Sequence, residues 1–338
     1  MKHVVVTQEL HEADIRPPTL LSEFKRLSVQ DAKHFFGDRA KLVEVEPPST
    51  GEGASRFAFE KDGFRYMQAA ECGSLYVSPR PTKAALADYY RNSNASAYRV
   101  EHYAKETAEA RRLHLLRSHA NWMGRLYDEH GNAGARSYVD IGTNSPAIFD
   151  EVRRLGLFDK LYSLNPLPGL EAECKARGVT VIHEPIRDAG AVTAFQQLES
   201  QFSPLDLVKT ACDMLAVGGL YFMTTRTISG FDLQTLWDKT PYLFVPEHLN
   251  LLSIEGMKRL IARAGLHTVE LSTPGQLDVE LVYHAAKNDA SIQLPRFIQY
   301  LLDERDDLAH ADFQEFLQKH RLSSHVRVAA ARREGVPL

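Results

Sequence analysis

Cysteine is scarce in this chain of 338 residues, in which only Cys72, Cys174 and Cys212 occur, far apart in sequence. A sparse, odd set of cysteines is typical of a reducing compartment and does not build a disulfide framework. The N-terminal stretch MKHVVVTQELHEAD has too short an apolar run for a signal peptide. We therefore expect a cytoplasmic protein.

Long apolar runs are missing as well. No stretch is apolar over the roughly 20 residues that a membrane-spanning helix needs, so we expect no integral membrane protein. Excess charge of either sign is also lacking, since the formal net charge is -4. This balance argues against nucleic acid or an anionic membrane surface as a partner. Hydrophobic residues make up 44% of the chain, which is enough for one large or two modest domains.

The stretch SYVDIGTNSPAIFDEVRRLG, residues 137–156, is the most informative part of the chain. The β-prone run 138–141 predicts a buried strand, and Gly142 opens a turn. Ser145 followed by Pro146 predicts a helix start, with serine as the N-cap and proline at the first helical position. In open α/β sheets, a first strand that feeds a helix N-terminus is where nucleotide-like cofactors bind.

From Arg136 onward the apolar pattern alternates between strands and helices. This order predicts an α/β fold with a mainly parallel sheet and helices on both faces. The predicted strands cover 137–141, 160–164, 179–182, 191–195, 220–225 and 267–271. The predicted helices that follow the first turn cover 169–177, 205–215 and 254–264.

The rest of the chain divides into further predicted units. An N-terminal module, 1–82, contains a hairpin that turns at Asp62-Gly63. A helical connector covers 83–135 and includes a long helix over 98–126, and the core covers 136–287. A helical extension, 288–338, contains a candidate last strand of the sheet at 326–330.

Three segments, taken in order, resemble class I S-adenosylmethionine-dependent methyltransferases. They are the Asp-Ile-Gly turn with its helix, the run LAVGGLYFMTT (215–225) and the run PEHLNLLSIEGMKRLIARAGL (246–266). The resemblance covers roughly 57–330 and implies a Rossmann-like methyltransferase fold with S-adenosylmethionine as the cofactor. The run CGSLYVSPRPTKAALADYY (72–90) looks like the end of the zinc-ribbon-like module of a sub-group that methylates sugars or other small metabolites.

The resemblance implies that Asp140, Gly142, Asn144 and Asn165 bind the cofactor. The family turn is usually Gly-x-Gly-x-Gly, and here only Gly142 remains, since Asn144 and Pro146 occupy the other positions. Asn165 stands where an acidic residue usually holds the ribose hydroxyls, and an amide lacks the charge-assisted hydrogen bond. The alternative role for Asp140 is to cap nearby backbone amides, and for Asn144 it is to cap the helix.

The zinc-ribbon-like module departs from its sub-group, which has two Cys-x-x-Cys pairs. Cys72 stands alone, Ala69 occupies the position of its partner, and EPPS (46–49) replaces the first pair. One thiolate does not make a four-ligand structural site, so we expect no bound metal. The degenerate module is expected to fold by apolar packing of Phe57, Phe59, Phe64, Tyr66, Leu75 and Tyr76.

Glu247-His248 is the best candidate for acid–base chemistry. Methyl transfer to oxygen or carbon needs a group that removes a proton, and a neutral histidine suits that task. The pair follows strand five, near the carboxyl edge of the sheet where substrates bind. Sugar C-methyltransferases have a catalytic Glu-His pair in a comparable loop, and the resemblance implies the same role here. The alternative is a structural histidine bonded to backbone.

The sequence evidence for a functional role is weaker for other polar residues. Arg226 directly follows strand five and either binds an anionic group or forms a surface ion pair. The segment 272–279, with Asp278, either closes over the substrate or is a plain turn. Glu199 stands where the sub-group often has an acidic residue followed by histidine, which Ser200 replaces here.

The leading hypothesis is S-adenosylmethionine-dependent methylation of a small molecule, with a sugar or nucleotide sugar as one option. The rival is a non-catalytic relative that keeps the fold and binds a partner or metabolite. A nicotinamide dehydrogenase is disfavoured, because the turn lacks Gly-x-Gly-x-x-Gly and no acid ends strand two. The oligomeric state is left open, with a homodimer among the options.

Overall fold

The computed structural model of the protein describes residues 10–332. Its strands are β1 (Leu42–Val43), β2 (Ser55–Lys61), β3 (Phe64–Ala69), β4 (Leu75–Val77), β5 (Arg80–Pro81), β6 (Ser137–Ile141), β7 (Lys160–Leu164), β8 (Thr180–Ile182), β9 (Ala189–Phe195), β10 (Leu215–Arg226), β11 (Asn250–Leu251), β12 (Leu266–Ser272) and β13 (His325–Arg332). Its α-helices are α1 (Glu12–Ile15), α2 (Pro18–Phe36), α3 (Lys83–Asn92), α4 (Asn94–Tyr98), α5 (Ala104–Glu106), α6 (Ala108–Arg111), α7 (Arg117–His130), α8 (Ile148–Arg153), α9 (Glu171–Ala176), α10 (Pro204–Met214), α11 (Phe231–Leu236), α12 (Ile254–Arg263), α13 (Asp278–Asn288), α14 (Arg296–Glu304) and α15 (Asp307–Lys319).

The main sheet contains seven strands of the described chain, in the order β12-β13-β10-β9-β6-β7-β8. The neighbours from β10 to β8 pair in parallel, whereas β13 is antiparallel to both β10 and β12. The predicted Rossmann-like α/β fold with a mainly parallel sheet is confirmed. Because β13 runs against β10, it begins at the edge where the parallel strands end, and this places His325 opposite Arg226.

Helices cover both faces of this sheet. On one face, Met123 of α7 and Phe149 of α8 pack with Phe222 of β10 in one apolar cluster. On the other face, Val208 of α10 and Leu260 of α12 pack with the opposite side of the same strands. Burial on both faces explains why β9 is buried along its whole length.

The N-terminal hairpin is joined to the chain that follows β10. β2, β3 and β4 form an antiparallel sheet, and β11 pairs with β4 at its edge. Tyr66 of β3 and Leu75 of β4 are fully buried in a cluster with Phe244 from the segment before β11. The expected burial of Phe57 is wrong, because its side chain is 53% exposed and lies beneath the guanidinium of Arg65.

Arg80 holds this junction together. Its side chain is fully buried, although it carries a charge. It donates to the Val77 carbonyl at 2.9 Å, the Phe202 carbonyl at 2.9 Å, the Leu249 carbonyl at 3.3 Å and the Asn250 Oδ1 at 3.0 Å. A buried guanidinium is tolerated when its donors are satisfied, and here neutral oxygens from three segments satisfy it.

Cys72 lies in a cluster of hydroxyl groups. Its Sγ is 3.1 Å from the Ser49 Oγ and 3.3 Å from the Ser74 Oγ. Ser49 is the last residue of the EPPS run that replaces the first cysteine pair. Within residues 10–332, no group of three or more His, Cys, Asp and Glu side chains could hold a metal ion.

The helical elements differ from the predicted ones in several places. The long helix expected over 98–126 is interrupted by wider turns at Arg99–Tyr103 and Arg112–Leu116, and it ends at His130. The segment expected as a turn with Asp278 leads into helix α13, which begins at Asp278. In the described part of the chain, no helix has the length and apolarity needed to cross a bilayer.

Candidate functional site

The turn after β6 lies at the carboxyl edge of the sheet, as predicted. Gly142 has a φ of 66°, and a Cβ there would lie 2.5 Å from the Oε1 of Gln197. The Nε2 of Gln197 donates to the Gly142 carbonyl at 2.7 Å. The left-handed φ favours glycine at this position, and the end of the flexible Gln197 side chain occupies the space beside the turn.

The helix after the turn begins later than expected. Ser145 and Pro146 are not its N-cap and first residue; Ala147 precedes the helix, which runs from Ile148. The side chain of Asn144 donates to the Phe195 carbonyl at 3.1 Å and ties the turn to the end of β9. This contact engages the Asn144 amide in positioning the turn. Asn144 also lines the smaller of the two cavities at the sheet edge.

Asp140 is buried inside the sheet edge. The Thr193 Oγ1 donates to its carboxylate at 2.6 Å, and Asp140 lines neither of the two cavities described below. Burial raises the pKa of Asp140 to about 6, although hydrogen bonds from Thr193 and Thr143 oppose this shift. Through these contacts Asp140 helps to position the turn after β6. Its role in cofactor binding stays a prediction.

The raised pKa of Asp140 makes stability depend on pH. The native state binds more protons than the unfolded state between about pH 4 and pH 6, so stability falls as the pH rises through this window. Asp140→Asn removes the cost of burying the charge. We expect its melting temperature to exceed that of the parent at about pH 7.5, with a difference that shrinks by about pH 4.5. The exposed Asp213→Asn serves as the control, and an equal effect of Asp140→Asn at both pH values would contradict the prediction.

One cavity, of about 520 Å³, lies at the ends of β6, β7 and β9, and we call it the strand-end cavity. Its volume is typical of small-molecule sites, which range over roughly 300–1,000 Å³. Gly142 and Asn165 line it, together with apolar side chains such as Leu164 and Phe202. Asn165 has a φ of 48°, which asparagine tolerates, and its Oδ1 is 3.1 Å from the Nδ1 of His183.

A second cavity, of about 280 Å³, adjoins the first, and we call it the arginine cavity. Arg99, Gln196 and Ser200 line both cavities and so form the wall between them. The structure brings Glu247 and His248 into the arginine cavity. Glu247 bonds to the Arg99 guanidinium at 2.8 Å.

His248 is held through its Nδ1 by the backbone of Phe244. The Nδ1 is 3.2 Å from the Phe244 carbonyl oxygen, and the backbone carbonyl of His248 accepts a hydrogen bond from the Tyr66 hydroxyl at 2.8 Å. The Phe244 backbone nitrogen is also 3.4 Å from the Nδ1, so the two contacts suit different tautomers. In the tautomer with the proton on Nδ1, this nitrogen donates to the carbonyl and the lone pair of a general base is on Nε2. Burial, followed by the nearby Arg226, lowers the pKa of His248 to about 3, so the imidazole is neutral at neutral pH.

Arg226 forms an ion pair, as one alternative held, but the pair is buried and not at the surface. Its guanidinium bonds to the carboxylate of Asp232, which is fully buried. Its backbone N–H donates to the Oε1 of Glu199 at 2.7 Å. Burial raises the pKa of Glu199. Arg226 therefore has a carboxylate partner of its own and is not free to bind a ligand charge.

Several cavity residues were not identified from the sequence. Arg111 and His119 come from the broken helical connector, and His325 and Arg327 come from the last strand. One sequence signal was present: His325 and Arg327 alternate with valines in HVRVAAA, an unusual pattern for a strand buried inside a sheet.

A family model described as a methyltransferase domain matches residues 100–271, just over half of the chain. The chain belongs to this methyltransferase-domain family. The matched range contains β6 to β11 and all but the last residue of β12, together with the turn at Gly142 and both Glu247 and His248.

Among solved structures, the chain is similar to geranyl diphosphate C-methyltransferase from Streptomyces coelicolor A3(2), with 16% identity, a TM-score of 0.41, and coverage of 69% of this chain and 84% of that one. A putative sarcosine dimethylglycine methyltransferase from Galdieria sulphuraria has 15% identity and a TM-score of 0.41, and the match covers 64% and 85% of the two chains. A putative methyltransferase from Bacillus halodurans C-125 has 12% identity and a TM-score of 0.41, covering 62% and 98%. No curated protein matches the chain.

Proposed function

We propose that this protein transfers a methyl group from S-adenosylmethionine to a small molecule. The donor would occupy the strand-end cavity and the acceptor the arginine cavity. The observation that carries the proposal is the adjacency of the two cavities, which share a wall formed by Arg99, Gln196 and Ser200. In open α/β sheets the ligand site lies beyond the carboxyl ends of the strands, as these cavities do.

The residues of the strand-end cavity suit the chemistry of the donor. Leu164 and Phe202 offer apolar surface to an adenine ring, and the Asn165 amide offers hydrogen bonds to ribose hydroxyls. Gly142 keeps side-chain bulk away from the turn, although Gln197 lies beside it. When bound, S-adenosylmethionine supplies an electrophilic sulfonium methyl group.

The chain itself would supply the base and the positioning of the acceptor. The Nε2 of His248 would take the proton that an oxygen or carbon acceptor loses. Glu247, which is paired with Arg99, holds that arginine in the wall between the cavities. The resemblance of Glu247-His248 to the pair of sugar C-methyltransferases favours a sugar-like acceptor.

The non-catalytic rival also has an observation in its favour. Gln197 fills space beside the turn, and Asp140 is buried away from both cavities. A relative that had lost its cofactor would tolerate both features. Direct measurement of cofactor binding therefore separates the two functions.

Calorimetry with S-adenosylmethionine and S-adenosylhomocysteine tests the proposal. We expect both to bind with 1:1 stoichiometry. Asn165→Asp is expected to tighten binding by about fivefold, because a carboxylate makes a charge-assisted bond to a ribose hydroxyl. Asn165→Ala is expected to weaken binding. The absence of binding by the parent and by Asn165→Asp alike would favour the non-catalytic rival.

A further inference from the structure

The arginine cavity carries an unusual excess of positive charge. Two of its arginines have carboxylate partners, in the pairs Arg99–Glu247 and Arg226–Asp232. Three further arginines line the cavity, namely Arg16, Arg111 and Arg327.

The hydrogen-bond and ring partners of these three arginines among residues 10–332 are all neutral. Arg111 donates to the Oε1 of Gln196 at 2.9 Å, and Arg327 donates to the Oγ of Ser118 at 2.9 Å. Arg16 lies 5.9 Å from the ring centre of Tyr242. The Nε of Arg327 is buried and has no hydrogen-bond partner in the described chain. No carboxylate forms an ion pair with them in the described chain, and Glu270, whose charge attracts Arg327, is itself paired with Arg125.

The remaining acids of the cavity do little to offset this charge. Glu199 and Asp278 form no ion pair with the three arginines among residues 10–332, and the Oε1 of Glu199 accepts the Arg226 backbone N–H at 2.7 Å. Asp278 is also saturated with donors, since the Ser323 hydroxyl and the Ser324 backbone N–H both bond to it.

Two imidazoles complete the cluster. His119 is 2% exposed, and neither of its ring nitrogens has a partner in the described chain. The His325 ring stacks against it with the centroids 5.9 Å apart, and the His325 Nε2 is likewise buried without a partner. Buried polar atoms are nearly always hydrogen-bonded in native proteins, so these atoms indicate a ligand.

We propose that the arginine cavity binds a multiply charged oxyanion group of the acceptor, either a phosphate or a polycarboxylate, through Arg16, Arg111 and Arg327. The identity of this ligand as the methyl acceptor rests on the proposed function. Guanidinium forks match such oxygens in geometry and charge, and the partly desolvated cavity strengthens the attraction. His119 and His325 supply further donors at the same place.

The position of the anion site gives it a role in orientation. Arg111 contacts Gln196, which belongs to the wall shared with the strand-end cavity. His248 lines the same arginine cavity. An acceptor anchored by its anionic group would therefore extend between the guanidiniums and the imidazole, which holds its reacting atom near His248.

Anion binding is tested without any methyl donor. Sodium pyrophosphate and sodium citrate are titrated by calorimetry and thermal shift, with sodium chloride at matched ionic strength as the control. We expect pyrophosphate or citrate to bind and to raise the melting temperature where chloride does not. The stronger of the two ligands distinguishes a phosphate from a polycarboxylate. Failure of both would overturn the proposal.

Variants locate the site. Arg111→Gln is expected to weaken anion binding about tenfold or more, and Arg111→Lys to restore part of it. Without anion, Arg111→Gln should melt no lower than the parent, because it relieves repulsion from Arg16 and Arg99. The matched control is Arg56→Gln, an exposed arginine that also bonds to a glutamine, Gln68.

Three results separate this inference from its alternatives. If Arg111→Gln and Arg327→Gln both bind pyrophosphate and citrate like the parent, the site is not the one proposed. If Arg111→Gln loses S-adenosylmethionine affinity and keeps anion affinity, Arg111 belongs to the donor site and the proposal fails. If the anion binds as expected while S-adenosylmethionine does not bind at all, the anion site stands and the proposed methyl transfer fails.

Discussion

His248→Ala is expected to slow methyl transfer by about 10²–10⁴-fold, because a positioned general base contributes that much to rate. The affinity for S-adenosylmethionine should change little, since His248 lies in the arginine cavity and not in the strand-end cavity. The acceptor must first be found by screening metabolites with a labelled methyl donor. The loss should then appear in kcat and kcat/KM together, as expected when a contact of the transition state is removed.

The exposed His130→Ala is the control for this variant and should keep parental turnover. If His248→Ala also keeps parental turnover on the identified acceptor, His248 is structural. The base would then be sought at Glu199, whose Oε2 is buried without a partner in the described chain, or at Asp278.

The pH profile gives the same prediction a second readout. The acid limb of the kcat/KM profile reports the pKa of the essential base in the free enzyme. Burial and Arg226 lower the pKa of His248 to about 3, so this limb should lie well below the ordinary histidine value of 6.5. An anionic acceptor would offset the positive charges of the cavity and raise the pKa of the imidazole in the complex. The acid limb of kcat should then lie at higher pH than that of kcat/KM.

Arg80→Ala is expected to destabilise the protein by at least about 3 kcal/mol. The substitution removes four hydrogen bonds and opens a cavity, and an unmet buried acceptor costs about 1–3 kcal/mol, although the Leu249 carbonyl keeps the Val77 N–H as a donor. Denaturant unfolding followed by circular dichroism measures the change. Arg80→Lys should recover only part of the loss, because a single ammonium does not reproduce the planar fork of a guanidinium.

Arg56→Ala is the matched control, since this exposed guanidinium also bonds to a side-chain amide oxygen, on Gln68. Its effect is expected to be within about 0.5 kcal/mol. If Arg80→Ala costs no more than Arg56→Ala, the buried hydrogen bonds of Arg80 do not stabilise the junction between the N-terminal hairpin and the segment before β11.

Much of the α/β core follows from local patterns. The strand at 137–141, the helix 254–263 and the strand 266–272 were all predicted within a residue or two. Their apolar spacing and their glycine stops are local signals that burial in the sheet only reinforces. Local signals did not predict the start of helix α13 at Asp278. The segment 272–279 was predicted either to close over the substrate or to be a plain turn, whereas Asp278 begins helix α13 and accepts hydrogen bonds from Ser323 and Ser324, far along the chain.

The residues of the candidate site could also be predicted only in part from the sequence. Gly142, Asn165 and Glu247-His248 could be named from sequence, because each follows a strand and strand ends meet at one edge of a parallel sheet. The roles of their side chains could not, since Gln197 fills the space beside Gly142 and Arg99 pairs with Glu247 across long sequence separations.

No local sequence pattern predicts the positive charge of the arginine cavity. Arg16, Arg111 and Arg327 come from the N-terminal region, the broken connector and the last strand. Sequence establishes that each is a cation, but whether a carboxylate neutralises it depends on which side chains the fold brings within a few ångströms. Arg226 forms an ion pair with Asp232, whereas the hydrogen-bond and ring partners of these three arginines in the described chain are neutral. Because the Coulomb interaction depends on distance in space and on burial, only the folded chain reveals an anion site where composition shows a net charge of -4.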